Sequence, residues 1–139
     1  MLETFDAPNG DMSCVRRVRS NTPLQALTTL NEPIFLEAAR ALAAHTLADG
    51  GKTDDQRLDF AFRRVVARDP SQPERANLIA FLHKETGRYQ DGELNPWDML
   101  GGNDALAPLL PKNLTPAQVA GWTAVSRVLL NLDETITKE

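Results

Sequence analysis

Four times along this chain a Ser or Thr is followed three positions later by Glu or Gln, and each time an apolar pattern of helical period comes next. The four are Thr22-Pro23-Leu24-Gln25, Thr53-Asp54-Asp55-Gln56, Ser71-Gln72-Pro73-Glu74 and Thr115-Pro116-Ala117-Gln118. The first turn of a helix leaves backbone N–H groups without partners, and this spacing can satisfy two of them reciprocally. In the first and last runs Pro stands at the first helical position, where its fixed φ and missing N–H do no harm. No strand-length alternating run accompanies them. The pattern therefore predicts an all-α fold: a compact bundle of about five helices with an extended N-terminal arm and one long irregular loop.

A fifth start is Asn31-Glu32-Pro33, with Asn31 as the expected cap. The stretch after it, Ile34 to Leu47, is rich in Ala and Leu, so this helix is expected to be the most deeply buried, with His45 packed near its end. Asp49-Gly50-Gly51 stops it. In the helix from about Asp54 to Ala67, Leu58, Ala61, Phe62 and Val65 recur on one face. The next helix, about Pro73 to Arg88, is expected to bury Leu78, Ile79 and Leu82, with Gly87 near its cap and His83 facing solvent. The last helix, about Pro116 to Leu132, carries Val119, Trp122, Ser126, Leu129 and Leu130 as its inner stripe. Residues 133–139 are polar and expected to fray.

The chain of 139 residues reads as one domain. Residues 1–20 form the arm, 21–88 hold four helices, 89–114 are irregular, and 115–139 hold the final helix and tail. Within the irregular part, Asn95-Pro96-Trp97-Asp98 can open one short helical turn.

Charge and composition exclude several functions. A net charge of -4 argues against a general nucleic-acid binder, which carries a basic face. No run of about 18 apolar residues exists, so membrane insertion is not expected. The single cysteine, Cys14, cannot form an internal disulfide. Cys-x-x-Cys-His is absent, as is any zinc-ligand spacing, and the sequence calls for no cofactor or metal.

Several stretches carry a resemblance. They are Phe5-Asp6-Ala7-Pro8, Arg16-Arg17 with Arg19 leading into Asn21-Thr22-Pro23-Leu24-Gln25-Ala26-Leu27, then Leu30-Asn31-Glu32-Pro33, and finally Leu130-Asn131-Leu132-Asp133-Glu134. Together they resemble the C-terminal region of the planctomycete-type domain of unknown function 1553. That domain accompanies cytochrome-c-like segments in large multidomain proteins. The resemblance implies that the chain is part of a longer, exported parent, periplasmic or at the cell surface. Any haem would lie in another segment of it. The family offers no settled activity and no catalytic residue to carry over.

Two groups of residues remain as candidate sites. Arg16, Arg17 and Arg19 stand just before a capped helix start, where planar guanidinium forks could hold a carboxylate, phosphate or sulfate, as on an anionic polysaccharide. The commoner fate of such arginines is pairing with acidic residues, for instance Arg16 with Asp133 or Arg17 with Glu134. Trp97 offers a ring for stacking on a ligand, although a Trp in a long loop more often pins that loop down. Asp133 and Glu134 are adjacent, so their side chains diverge by about 100° and do not converge on one atom. Ser71 and Ser126 have no histidine at motif distance. The reading that follows is a non-catalytic helical module, packed against the remainder of its parent or a protein partner. The alternative is an anion- or glycan-binding part of a polysaccharide-processing or redox assembly.

Overall fold

A computed structural model of the chain describes residues 32–102 and 113–136. Six helices occur among them: α1 (Pro33–Asp49), α2 (Asp54–Val66), α3 (Gln72–Gln90), α4 (Pro96–Leu100), α5 (Pro116–Leu130) and α6 (Asp133–Ile136). No strand occurs among the described residues, so the all-α class holds. The arm at 1–20 and the helix start at Thr22 lie outside the described residues. Of the stretch 89–114, residues 103–112 lie outside the described residues, and the short helical turn expected from Asn95-Pro96-Trp97-Asp98 is present. Tyr89 and Gln90 finish α3, and α4 occupies five of the positions that follow.

The capping signals act as their chemistry requires. Thr53 Oγ1 accepts from the Gln56 N–H at 3.2 Å, and Gln56 Oε1 accepts from the Thr53 N–H at 3.3 Å. Thr115 and Gln118 make the same exchange at 3.3 and 2.9 Å. Ser71 differs, because both its N–H and its hydroxyl donate to Glu74 Oε2, each at 2.7 Å. At the start of α1 the N-cap is Glu32 instead of Asn31, and it makes no side-chain cap bond.

The centre of the bundle is α5. It lies against α1, α3 and α4, and also touches α2 and α6. Ten of its 15 residues are buried, against five of 17 in α1, so the expectation that α1 is the most buried helix is corrected. Most of the buried positions in α5 are small: Ala117, Ala120, Gly121, Thr123, Ala124 and Ser126. Small side chains let neighbouring backbones come close, and burial there follows from proximity instead of bulk. Gly121 is the clearest case, since a Cβ at this position would lie 2.3 Å from Thr86 Oγ1 of α3.

The main core joins Ala43 and Leu47 of α1, Leu58 and Phe62 of α2, Leu82 of α3, and Val119, Trp122, Val125 and Leu129 of α5. Burying each of the larger side chains is worth about 1.5–3 kcal/mol. Leu58, Ala61 and Phe62 are buried as the period of α2 predicts. Leu78, Ile79 and Phe81 are half-buried against this core. The hydroxyls of Thr46 and Thr123 donate to the carbonyls four residues back, at 2.8 and 2.9 Å, which removes the penalty of burying them. Ser126 is fully buried, and its Oγ has no hydrogen-bond partner among the described residues.

Several local expectations change. The His45 side chain is 57% exposed, 3.6 Å from Asp49, because it lies on the face of α1 turned away from α5. His83 is exposed, as expected. Gly87 does not cap α3, which continues to Gln90. Leu130 is half-buried. The tail does not simply fray: Asp133–Ile136 form a helical turn, and Thr135 Oγ1 donates to the Leu129 carbonyl at 2.9 Å.

Candidate functional site

Among the described residues, polar side chains from different helices meet in several places, as Arg75 of α3 does with Asp55 and Asp59 of α2, and two of these arrangements concern the candidate site. The first is centred on Arg68, just past the end of α2. Its Nη1 and Nη2 donate to the two oxygens of Glu74 at 3.0 and 2.8 Å. Its Nε and Nη2 donate to Glu134 at 2.9 and 2.6 Å, and Nη1 also reaches the Asp69 carbonyl at 3.1 Å. All five N–H groups of the guanidinium are thereby used. The guanidinium also sits 4.9 Å from the centre of the Phe62 ring, so its face is covered as well.

Electrostatics at this junction follow from those bonds. The hydrogen bonds from Arg68 and then from Ser71 hold the Glu74 carboxyl at about 2, well below its ordinary 4.5. Arg68 also lowers the Glu134 carboxyl, and the guanidinium itself is held more firmly protonated by Glu74 and Glu134. Beside it, Arg63 pairs with Asp69 and lowers that carboxyl in turn. The junction fastens α2, the start of α3 and α6 to one another. Arg68 itself keeps no N–H for a ligand.

The second arrangement is a cleft of about 300 Å³ where the first turn of α2, the second half of α3 and the first half of α5 meet. His83 Nε2 lies 3.3 Å from Asp54 Oδ2, and Arg57 Nη1 lies 3.8 Å from Asp54 Oδ1. Gln90 and Gln118 flank them, and Leu82 and Trp122 form the floor. The sequence placed His83 at the surface but gave no sign of its pairing with Asp54, which is 29 positions away.

Of the candidate residues named from sequence, Trp97 lies among the described residues. Arg16, Arg17 and Arg19 lie outside the described residues. Trp97 is 8% exposed at the start of α4, so its ring is turned into the fold. Its backbone N–H donates to Asn95 Oδ1 at 3.1 Å, and Arg40 Nε of α1 donates to the Met99 carbonyl at 2.7 Å. The first caps α4, and the second holds it against the bundle. A stacking role for Trp97 would need that ring uncovered. Trp122, at 3% exposure, is core as expected.

Among the described residues, no group of three or more His, Cys, Asp or Glu side chains is arranged to hold a metal ion. No helix among them is long and apolar enough to cross a membrane.

Comparison with protein families finds a match over residues 1–82 to PSD1, the protein of unknown function DUF1553. The match covers more than half of the chain. The chain belongs to this family. Comparison with curated proteins and with solved structures finds no match. The DUF1553 match ends at Leu82, inside α3 and in the middle of the core. Both polar arrangements therefore straddle its end: Arg68 and Glu74 fall inside the matched range and Glu134 outside, as do Asp54 and Gln118 across the cleft.

Proposed function

We propose that this part of the DUF1553 chain is a non-catalytic helical module through which a larger protein is assembled, by packing against the remainder of its parent or against a protein partner. The supporting observation is the fate of the strongest charged cluster. Arg68, Glu74 and Glu134 converge on one another, and Arg68 spends all five of its N–H groups joining three helices. An enzyme site of the acid–base kind keeps such groups directed at open space where a reacting atom can sit. Here they serve cohesion. The parent is, on this reading, an exported multidomain protein of planctomycete type, a placement that rests on the resemblance carried by the Arg16–Leu27 run.

The test is titration calorimetry of this chain against the remainder of its parent, expressed separately. Binding with a negative heat-capacity change is expected, since that sign marks burial of apolar surface. No heat at the highest soluble concentration, for the parent remainder and for proteins encoded beside it, would remove the assembly reading.

A further inference from the structure

Gly87 occupies an interior position of α3, where glycine is the least favourable residue short of proline. Helix-interior glycines usually answer a steric need, as Gly121 does against Thr86. Gly87 answers none. Its backbone is not in the left-handed region, and a Cβ built on it meets no described atom within 4 Å. Its helix continues for another three residues, so it is not a cap either. What the missing side chain does is leave open the wall of the cleft between α2, α3 and α5.

We propose that this cleft is a binding site for a small, neutral, polyhydroxylated molecule, and that Gly87 is the residue that makes room for it. The volume of about 300 Å³ is at the lower end for ligand pockets and suits a single ring. The carboxylate of Asp54 and the guanidinium of Arg57 offset each other at 3.8 Å, so a charged ligand gains little net field. The remaining groups offer both donors and acceptors. Gln118 spends its Oε1 on the Thr115 N–H, which leaves its NH₂ to donate. Gln90 is exposed at the rim with its amide open to either role. His83, 65% exposed, has a second ring nitrogen beyond the one facing Asp54. Below them, Leu82 and Trp122 supply an apolar floor for the ring carbons. Mixed donors and acceptors over an apolar floor, without net charge, is the complement of a sugar or cyclic polyol.

The experiment is a titration of the ¹⁵N-labelled chain with methyl β-D-glucopyranoside and with myo-inositol, followed by amide shifts, with sodium acetate as the charged comparison. Saturable shifts are expected for at least one polyol at Asp54, His83, Gly87 and Gln118, and none for acetate. Gly87→Leu fills the cleft and should weaken binding by about tenfold or more, which is the loss of one well-made contact or its equivalent. Gln90→Ala, at an exposed position that leaves the fold alone, should weaken it by a smaller factor. Gly87→Ala should melt no lower than wild type. Absence of saturable shifts in the cleft with both polyols overturns the proposal, as does undiminished binding in Gly87→Leu. Saturation by acetate overturns the neutral ligand class. A lower melting midpoint in Gly87→Ala overturns the premise that the glycine has no structural task.

Discussion

Arg68 and Glu134 stand 66 positions apart and meet through two hydrogen bonds, Nη2 to Oε1 at 2.6 Å and Nε to Oε2 at 2.9 Å. The pair ties the last helical turn to the end of α2. Without it, α6 keeps the Thr135 hydroxyl's bond to the Leu129 carbonyl and the Thr135 N–H bond to the Leu132 carbonyl, and a helix of four residues is marginal by itself. Arg68→Lys retains the charge but loses the planar fork, so it should not substitute. Both Arg68→Lys and Glu134→Gln are expected to speed hydrogen exchange of the amides in 133–136 and to lower the melting midpoint slightly. The groups are exposed, so the difference from wild type should shrink as salt is raised. Equal exchange rates in all three proteins would show that α6 is held by something else.

Glu74 gives the junction a pH dependence. A carboxyl held at about 2 in the folded chain, and near 4.5 when unfolded, stabilises the fold above the higher value. That contribution falls away as pH drops from 4.5 towards 2 and Glu74 takes up a proton. Asp69 and Glu134, lowered by their own arginines, act in the same direction. The Glu74 side chain is 35% exposed, and solvent screening limits its share to about 1 kcal/mol. Glu74→Gln still offers an amide oxygen to the Ser71 N–H, so the cap survives while the charge is lost. Its stability should therefore change less over this acid range than that of wild type. Denaturant midpoints measured at several pH values between 2 and 5 read this directly, and parallel curves for the two proteins would count against it.

Local signals in the sequence carried much of the fold, and non-local ones did not. The boxes at Thr53 and Thr115 are exchanges within four residues, so spacing alone reveals them. The face of α2 is visible because Leu58, Ala61 and Phe62 are apolar at helical intervals. The central place of α5 is hidden, because an apolar count favours the Ala- and Leu-rich α1. Gly121 and Thr123 are buried through their small size, which periodicity of bulky residues does not register, whereas Ser126 falls on the stripe that periodicity marks. The exposure of His45 is hidden too, since an apolar neighbourhood in sequence does not say which face meets α5. Arg68 with Glu134, and Asp54 with His83, are pairs made by tertiary packing. No spacing rule links them. Gly87 resembles a helix-ending glycine in sequence and is an interior one in the structure.

The contact between Gly121 and Thr86 sets how closely α3 and α5 approach. Gly121→Ala would place a methyl group 2.3 Å from Thr86 Oγ1, closer than any van der Waals contact allows. Thr86 is β-branched and has two helical rotamers, so turning its hydroxyl relieves only part of the crowding, since its Cβ also lies 3.4 Å away. A loss of about 1–3 kcal/mol is expected, the usual cost of overpacking, less whatever the better helix propensity of Ala returns. Thr86→Ala removes the hydroxyl that would clash. The double variant should therefore be more stable than the sum of the single changes predicts, and a double-mutant cycle in chemical denaturation measures that coupling. Strict additivity would mean that the close approach is not what Gly121 serves.

The family match stops at Leu82, but the physical unit does not. Leu47, Leu58, Phe62 and Leu82 lie inside the matched range, and their cover comes from Val119, Trp122, Val125 and Leu129 of α5 beyond it. A chain ending after α3 would leave that apolar face open to water, and Gly121 and the small residues around it would no longer bring a partner helix close. Such a truncated chain, residues 1–94, should keep some helical signal yet lose cooperative thermal unfolding and bind a hydrophobic dye, as loosely packed states do. Adding a peptide of residues 113–136 should restore a cooperative transition, because it returns both the α5 face and Glu134 for Arg68. A truncated chain that melts as sharply and as high as the full chain would show that the matched segment is a complete core by itself. In that case α5 would be an appendage on a finished fold, and the buried stripe from Ala117 to Leu129 would lose its reason for being there.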